Sequence, residues 1–554
     1  MYVATVPNRN SPPAILLRES FREDGKVKNR TLANLSSWPS ERVDALRRLL
    51  RGDLDHLVSD TPVCGPVFGQ LHALKQIADR LGITAALGRG PMGKLSLFLV
   101  LARIAHQGSR LSAVRWAREH AVAEVLGLPG FDEDDLYAAL DDLCARQARI
   151  ETALYQRYRK SHPEPPSLFL YDVTSAYLEG EHNALAEFGY NRDGKRGKLQ
   201  IVIGLLTDPE GEPLAVRVFA GNTNDPLTVA DQIAILRQQF GVPELVLVGD
   251  RGMVKSKGKQ ALHEDGLRYI SALTDPQIRK LLSVGTLQMG LFSEQVVEVE
   301  ADGLRYVLRK NDDEAARVHH RLEDKLTRLN QKIKQRNEKV TASPRCKPES
   351  GLAKMRQWIA RHKLASFIQP RLDARELRID IDEAAREQAM LLAGCYAIVT
   401  DVAKTGMATQ DVHDNYMRLQ KVERDFRIMK TGLLEVRPVF VRKEGRTRGH
   451  VFCSMLALKI AREMERCLRT AFGTTDTNAE AVTLPDALTA LGRLCLLQYN
   501  VDGDHTFTRL PVPNPIQTYL PIFPRARIIL TCSRLHVEVP ANRPAPVRTG
   551  RFYE

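Results

Sequence analysis

The sequence predicts an α/β protein: a mixed sheet flanked by helices, preceded by a helical N-terminal domain and interrupted by a basic insertion before a late amphipathic helix. Three observations carry this. At SHPEPPS, residues 161–167, a proline cluster ends a helical stretch, and the apolar period changes from 3.6 to 2. The following apolar runs alternate with helical patterns up to about residue 275. From 304 to 375 the composition turns basic, with 19 Lys and Arg against 8 Asp and Glu.

At 554 residues the chain has room for about two to four domains. Residues 1–62 are polar and rich in Arg, Ser and Pro, and read as a flexible basic arm with one helical patch at ERVDALRRLLRG. Residues 63–160 read as a helical, DNA-binding domain, with LHALKQIADRLG, LSLFLVLARIAHQG and LSAVRWAREHAVAEVLG closed by glycines of the helix C-cap type. Residues 161–300 form the first part of the core. SLFLYDVTSAYLE, KLQIVIGLLTD and PLAVRVFAG are consecutive strands; after the helix TVADQIAILRQQFG come the strand LVLVGD, a further helix and the strand LRYISALT. The basic insertion is assigned to 301–390, its ARVHHRLEDKLTRLNQKIKQRNEK being a long polar helix. Residues 391–475 return to the core through the strand LLAGCYAIVTDV and a helix over about 414–431, and 476–554 are a mixed C-terminal region ending in a mobile Pro- and Arg-rich tail.

The net charge of +13, from 80 Lys and Arg against 67 Asp and Glu, suits a polyanionic partner without requiring one. The eight cysteines (Cys64, Cys144, Cys346, Cys395, Cys453, Cys467, Cys495, Cys532) are scattered, with no Cys-x-x-Cys pair, so zinc is not expected and a reducing compartment fits. The N-terminus lacks a signal-peptide core, and LSLFLVLARIA is too short to span a bilayer. A cytoplasmic, nucleoid-associated protein without a membrane partner is expected.

Asp172 sits in LFLYDVT, apolar on both sides of the pleat, where an ionised carboxylate is expensive unless paired or metal-bound. Asp250 ends a second such run, LVLVGD, and carboxyl ends of strands are where open α/β sheets bind ligands. Either acid alone reads as a strand-end cap or salt bridge; two on buried strands of one sheet favour a site. Glu423 lies at the edge of the stripe Leu419, Val422, Phe426, Met429 and Leu433, with Tyr416 and Lys430 seven residues to either side on the same helical face. An ordinary amphipathic helix with charged shoulders gives the same pattern. Three carboxylates suit phosphoryl transfer, because two divalent ions about 4 Å apart need several hard oxygen ligands.

These residues resemble the DDE transposases of bacterial insertion sequences, in particular the group with a Tyr-x2-Arg-x3-Glu-x6-Lys signature. LFLYDVTSAYLEG, GYNRDGKRGKLQIVIGLL, FAGNTND, LVLVGDRGM, KVERDFRIMKTGLLEVRPVF and RTRGHVFCSMLAL, in this order over roughly 65–500, carry the resemblance. It implies an RNase H-like core with Asp172, Asp250 and Glu423 as catalytic metal ligands for two Mg²⁺ (or Mn²⁺) ions. Tyr416 and Lys430 fall on the signature tyrosine and lysine, whereas the arginine position holds Leu419, with Arg418 beside it. The resemblance further implies cleavage at terminal inverted repeats, strand transfer into target DNA, and a homodimer in the synaptic complex. The insertion in such relatives is strand-rich, unlike the helical pattern here.

Lys195, Arg196 and Lys198, together with Tyr416, Arg427 and Lys430, are candidate DNA contacts; a solvated turn is the bland reading for the first three. His450 reads as a satisfied structural histidine or a phosphate contact, and Trp116 as core. Two other functions keep the same acids: an RNase H-like nuclease without strand transfer, and a catalytically inactive, transposase-derived DNA-binding protein.

Overall fold

The structure is a computed structural model and describes residues 1–9, 11–23, 26–51, 63–162, 164, 166–195, 197–251, 267–474, 481–501, 505–511, 517, 531–532 and 535–536. Two compact units are present: one comprises Met1–Ala73, Ala117–Ala121 and Cys467–Glu554, the other Leu74–Trp116 and Val122–Arg466. Arg196, the helix expected between 252 and 266, and the C-terminal NRPAPVRTGRFYE lie outside the described residues.

The larger unit is built on an eight-stranded mixed sheet. Its spatial order is Val297–Ala301, Leu304–Lys310, Cys395–Thr400, Arg268–Ala272, Val246–Gly249, Leu168–Tyr177, Gln200–Thr207, Pro213–Ala220. Leu168–Tyr177, Gln200–Thr207 and Pro213–Ala220 form an antiparallel meander. Val246–Gly249 runs parallel to Leu168–Tyr177, and Arg268–Ala272 parallel to Val246–Gly249. The remaining three strands are antiparallel to their neighbours. Gln200–Thr207 is buried along its whole length, as a central strand covered on both faces must be. Pro213, which cannot donate to a ladder, opens the edge strand.

A helix anchors to this sheet through polar clamps, and the one before it is fixed by its own cap. Glu133–Ala145 starts at a capping box made by Asp132 and Asp135. From Gln147–Ser161, the buried Glu151 accepts two bonds from Arg217 (2.8 and 3.0 Å), and Tyr158 donates to Asp208 at 2.8 Å. The helix Gln147–Ser161 thus packs on the sheet, and Leu74–Trp116 and Val122–Ser161 fall in the same compact unit as the sheet.

The insertion starts later than the charge count suggested. Val297–Ala301 and Leu304–Lys310 form a hairpin of the main sheet, turned at Asp302 and Gly303, both with positive φ (53° and 71°). Asp-Gly is the preferred pair for such a two-residue turn. Beyond it, Asn311 caps the long helix Asp312–Ala342; Pro348–Arg361, the hairpin Ile368–Asp373/Glu376–Ile381 and Glu383–Met390 follow. Leu322, Leu326, Leu329 and Ile333 recur at helical spacing and bury against Ile359, Phe367, Ile368 and Leu377, a core separate from that of the sheet. Asn311 donates its backbone N–H to Gly394 O at 2.9 Å, so the two ends of the insertion meet. Gly394 has φ 72°, and a Cβ there would lie 2.3 Å from Asn311 O.

The smaller unit departs from the expected arm. Tyr2–Val6, Ala14–Glu23 and Lys26–Asn34 form an antiparallel sheet, followed by the helix Ser40–Leu50. Polar side chains mask these strands, because this small sheet buries little on either face. Val63–Val67 pairs with Cys495–Val501, bringing the Cys64 and Cys495 sulfurs to 2.8 Å. Among the described residues, no helix is long and apolar enough to cross a membrane.

Candidate active site

Asp172 and Asp250 leave neighbouring parallel strands at the same level, since Tyr171 pairs with Gly249 in register. The Asp172 Oδ1 accepts the backbone N–H of Val173 at 2.7 Å. Ser271 Oγ donates to the Asp250 carbonyl at 3.0 Å, and Tyr416 OH to its Oδ1 at 3.4 Å.

The third acid comes from Leu419–Lys430, which packs across the Asp172 strand through Leu419, Val422, Phe426 and Met429. Glu423 is exposed on this helix, and lines with Asp172 and Asp250 a cleft of about 390 Å³. The helix is not the continuous one expected. Arg418 closes a tight turn, with Lys421 N bonding Arg418 O at 2.9 Å, so Tyr416 belongs to the separate helix Thr409–Met417. Tyr416 therefore stands on a different helix from Glu423 and Lys430, which share theirs. Leu433 also falls beyond the helix end, and buried Asp425, paired with Arg462 at 2.6 Å, takes a place in the stripe.

Electrostatically the three acids of the cleft act on one another. Burial pushes the Asp172 carboxyl up to about 7; the negative charges of Asp250 and Glu423 add to this, opposed by the Val173 N–H and Arg192. Burial, and then the charge of Asp250, raise the Tyr416 hydroxyl. Hard carboxylate oxygens whose charges penalise one another are a donor set that fits Mg²⁺ or Mn²⁺. Among the described residues, no three His, Cys, Asp or Glu side chains are gathered tightly enough to form a finished metal cage. Three like charges repel, and either protonation of Asp172 or a cation between the acids lowers the cost of bringing them together.

Cations line the same cleft. Lys430 and Arg427 line the cleft, as do Arg192 and Arg437, which the sequence reading did not single out. One guanidinium nitrogen of Arg192 donates to both carboxylate oxygens of Asp225, at 2.6 and 2.7 Å. Lys430 donates to Asp193 at 2.8 Å, and Arg437 meets the same carboxylate. Asp193, Asp225 and Arg437 lie within the motif segments GYNRDGK, FAGNTND and LLEVRPVF, but in sequence they look like charges of solvated turns.

The other candidates separate. Lys195 lines an adjoining cavity, whereas exposed Lys198 pairs with Glu179 at 2.9 Å. Leu419, at the signature arginine position, is buried, and Arg418 faces Glu210 at 3.9 Å. His450 is buried; its Nδ1 lies 2.9 Å from Arg110 and its Nε2 3.4 Å from the Val436 carbonyl. Burial, with Arg103 and Arg110, holds its pKa well below the usual value, as a structural role requires. Trp116 stacks on His106 at 5.7 Å.

No curated protein matches the chain. Among solved structures, a piggyBac transposase synaptic complex with hairpin DNA is 10% identical over 78% of this chain and 82% of that chain, with a TM-score of 0.34. A pre-cleavage Mos1 transpososome is 11% identical over 27% of this chain and 52% of that one, with a TM-score of 0.14. A Mos1 paired-end complex with the left transposon end is 9% identical over 33% and 58%, with a TM-score of 0.15. Likeness this distant does not carry a shared fold. Residues 3–59 match the model of the IS1634 family transposase N-terminal domain, and this match supports an insertion-sequence transposase, an enzyme of DNA transposition.

Proposed function

We propose that the protein cleaves DNA at the terminal inverted repeats of its own element and joins the freed ends to target DNA, using Asp172, Asp250 and Glu423. One observation carries this reading: two aspartates leave adjacent parallel strands at the same level, and a glutamate from a crossing helix lines the same cleft. The antiparallel meander followed by two parallel strands supports an RNase H-like core.

Asp172, Asp250 and Glu423 would hold two Mg²⁺ or Mn²⁺ ions, which activate an attacking oxygen and offset charge on the leaving one. The chain's own residues do the rest. Tyr416, bonded to Asp250, fixes the orientation of that carboxylate. Lys430, Arg437 and Arg427 present positive charge to a phosphate held in the cleft. Water and a 3′-hydroxyl are chemically equivalent nucleophiles here, so one site serves both cleavage and joining. Exposed Arg328, Lys332, Lys334, Lys339, Lys354 and Arg356 on the insertion supply backbone contacts outside the cleft. Pairing two ends calls for a homodimer during synapsis.

The test is cleavage and joining of duplexes carrying the flanking inverted repeats in Mg²⁺, with wild type beside Asp172→Ala, Asp250→Ala and Glu423→Ala. Each substitution is expected to lower the rate by on the order of 10³-fold or more while duplex binding survives. Variants that cut like wild type would remove these acids from the reaction. Binding without cleavage by the wild type itself would favour the inactive DNA-binding protein, and cleavage without joining the nuclease.

A further inference from the structure

Between the acid-lined cleft and a second cavity of about 240 Å³ stands a buried carboxylate, Asp193, whose side chain is 1% exposed. Its Oδ1 receives Lys430 at 2.8 Å and also Arg437, and its Oδ2 accepts the Tyr177 backbone N–H at 3.3 Å. The second cavity is lined by Lys195, Lys430, Arg437, Tyr177 and Glu435 besides Asp193. The Lys195 ammonium and the Arg437 guanidinium lie 5.8 and 6.0 Å from the centre of the Tyr177 ring.

Cations brought this close repel one another and would otherwise turn to solvent or to the acids of the cleft. Burial disfavours a charged Lys430, and Asp193 opposes that loss, while Arg437 and Arg192 add to it. The charges lining the second cavity, three cations against Asp193 and Glu435, leave one net positive charge. That is the complement of a phosphodiester.

We propose that Asp193 is a positioning residue that holds Lys430 and Arg437 as a fixed cationic pair, and that the cavity they share with Lys195 takes a DNA backbone phosphate neighbouring the one in the acid-lined cleft. The inference rests on the transposase reading for its ligand. It adds a subsite to that reading and gives a buried acid a role in DNA binding.

The experiment measures affinity for an inverted-repeat duplex without divalent metal, across a series of salt concentrations. Arg437→Ala and Lys195→Ala are each expected to reduce the slope of log affinity against log salt by about 0.9, one phosphate contact. Asp193→Asn removes a negative charge beside DNA, so simple electrostatics predicts tighter binding. Positioning predicts the opposite: affinity weaker by roughly tenfold and a shallower slope. On a Lys430→Ala/Arg437→Ala background, Asp193→Asn should then change nothing further. Tighter binding by Asp193→Asn, or an undiminished effect on that background, overturns the positioning role while leaving the transposase reading standing. Should Asp193→Asn fail to fold, unchanged slopes for both Arg437→Ala and Lys195→Ala overturn the subsite alone. If wild type does not bind the duplex, the DNA reading itself falls.

Discussion

Asp172 shows how burial and two neighbouring acids act on a single side chain. Its folded-state pKa of about 7 lies above the ordinary 3.8, so the folded chain prefers the protonated form. This stability is present at low pH and is lost as pH rises from about 4 through about 7. In a metal chelator, Asp172→Asn is therefore expected to melt higher than wild type at pH 8, by on the order of 1 kcal/mol after allowing for solvent screening, and the gain should shrink towards pH 5. A variant that melts lower at pH 8 would show that burial of this carboxylate is already offset. Asp172 and Asp250 are legible in sequence because each follows an unbroken apolar run, where a charge is conspicuous. Asp193, Asp225 and Arg437 are not. Their partners, Lys430, Arg192 and Asp193 respectively, lie across the fold, and a loop charge shows nothing of its burial until the chain closes.

The glutamate helix Leu419–Lys430 is held in place by an ion pair on its buried face as well as by its apolar stripe. Asp425 is fully buried; burial pushes its carboxyl up to about 6, against the opposing charge of Arg462. Arg462→Ala leaves that carboxylate unpaired, at a cost on the order of 3 kcal/mol. Because Asp425 can then protonate, the loss should be larger at pH 8 than at pH 5, as thermal melts at the two values would show. An equal loss at both would mean that Asp425 is not ionised in the native protein. The helix itself is legible from its 3.6 period, but its start is not: no residue type marks the turn at Arg418. The hairpin turned at Asp302 and Gly303 was open to recognition, since Asp-Gly between short apolar runs signals a two-residue turn. Counting charge from residue 304 onward hid it, because Arg305, Arg309 and Lys310 belong to a strand of the main sheet.

Six of the eight strands of the sheet follow from periodicity and turn residues, whereas pairings that join distant segments, such as Val63–Val67 with Cys495–Val501, have no local trace. The insertion is the clearest modular feature. Lys310 pairs with Cys395 on adjacent antiparallel strands, and all that lies between leaves and returns at one point. Replacing residues 312–393 by a short turn should leave one cooperative melt of the core. Affinity for DNA should fall by about tenfold or more, with a shallower salt dependence. Unchanged affinity would remove the insertion from DNA binding.

That single point of departure also bears on how the chain finds its fold. Closing a long flexible loop costs conformational entropy that grows only slowly with length, about 0.6 kcal/mol per doubling. An insertion with its own apolar core, and with Asn311 bonded to Gly394, can close that loop before the sheet exists. Once folded, it presents Leu304–Lys310 and Cys395–Thr400 to each other as near neighbours. Two strands far apart along the chain then meet with the low search cost of an ordinary hairpin.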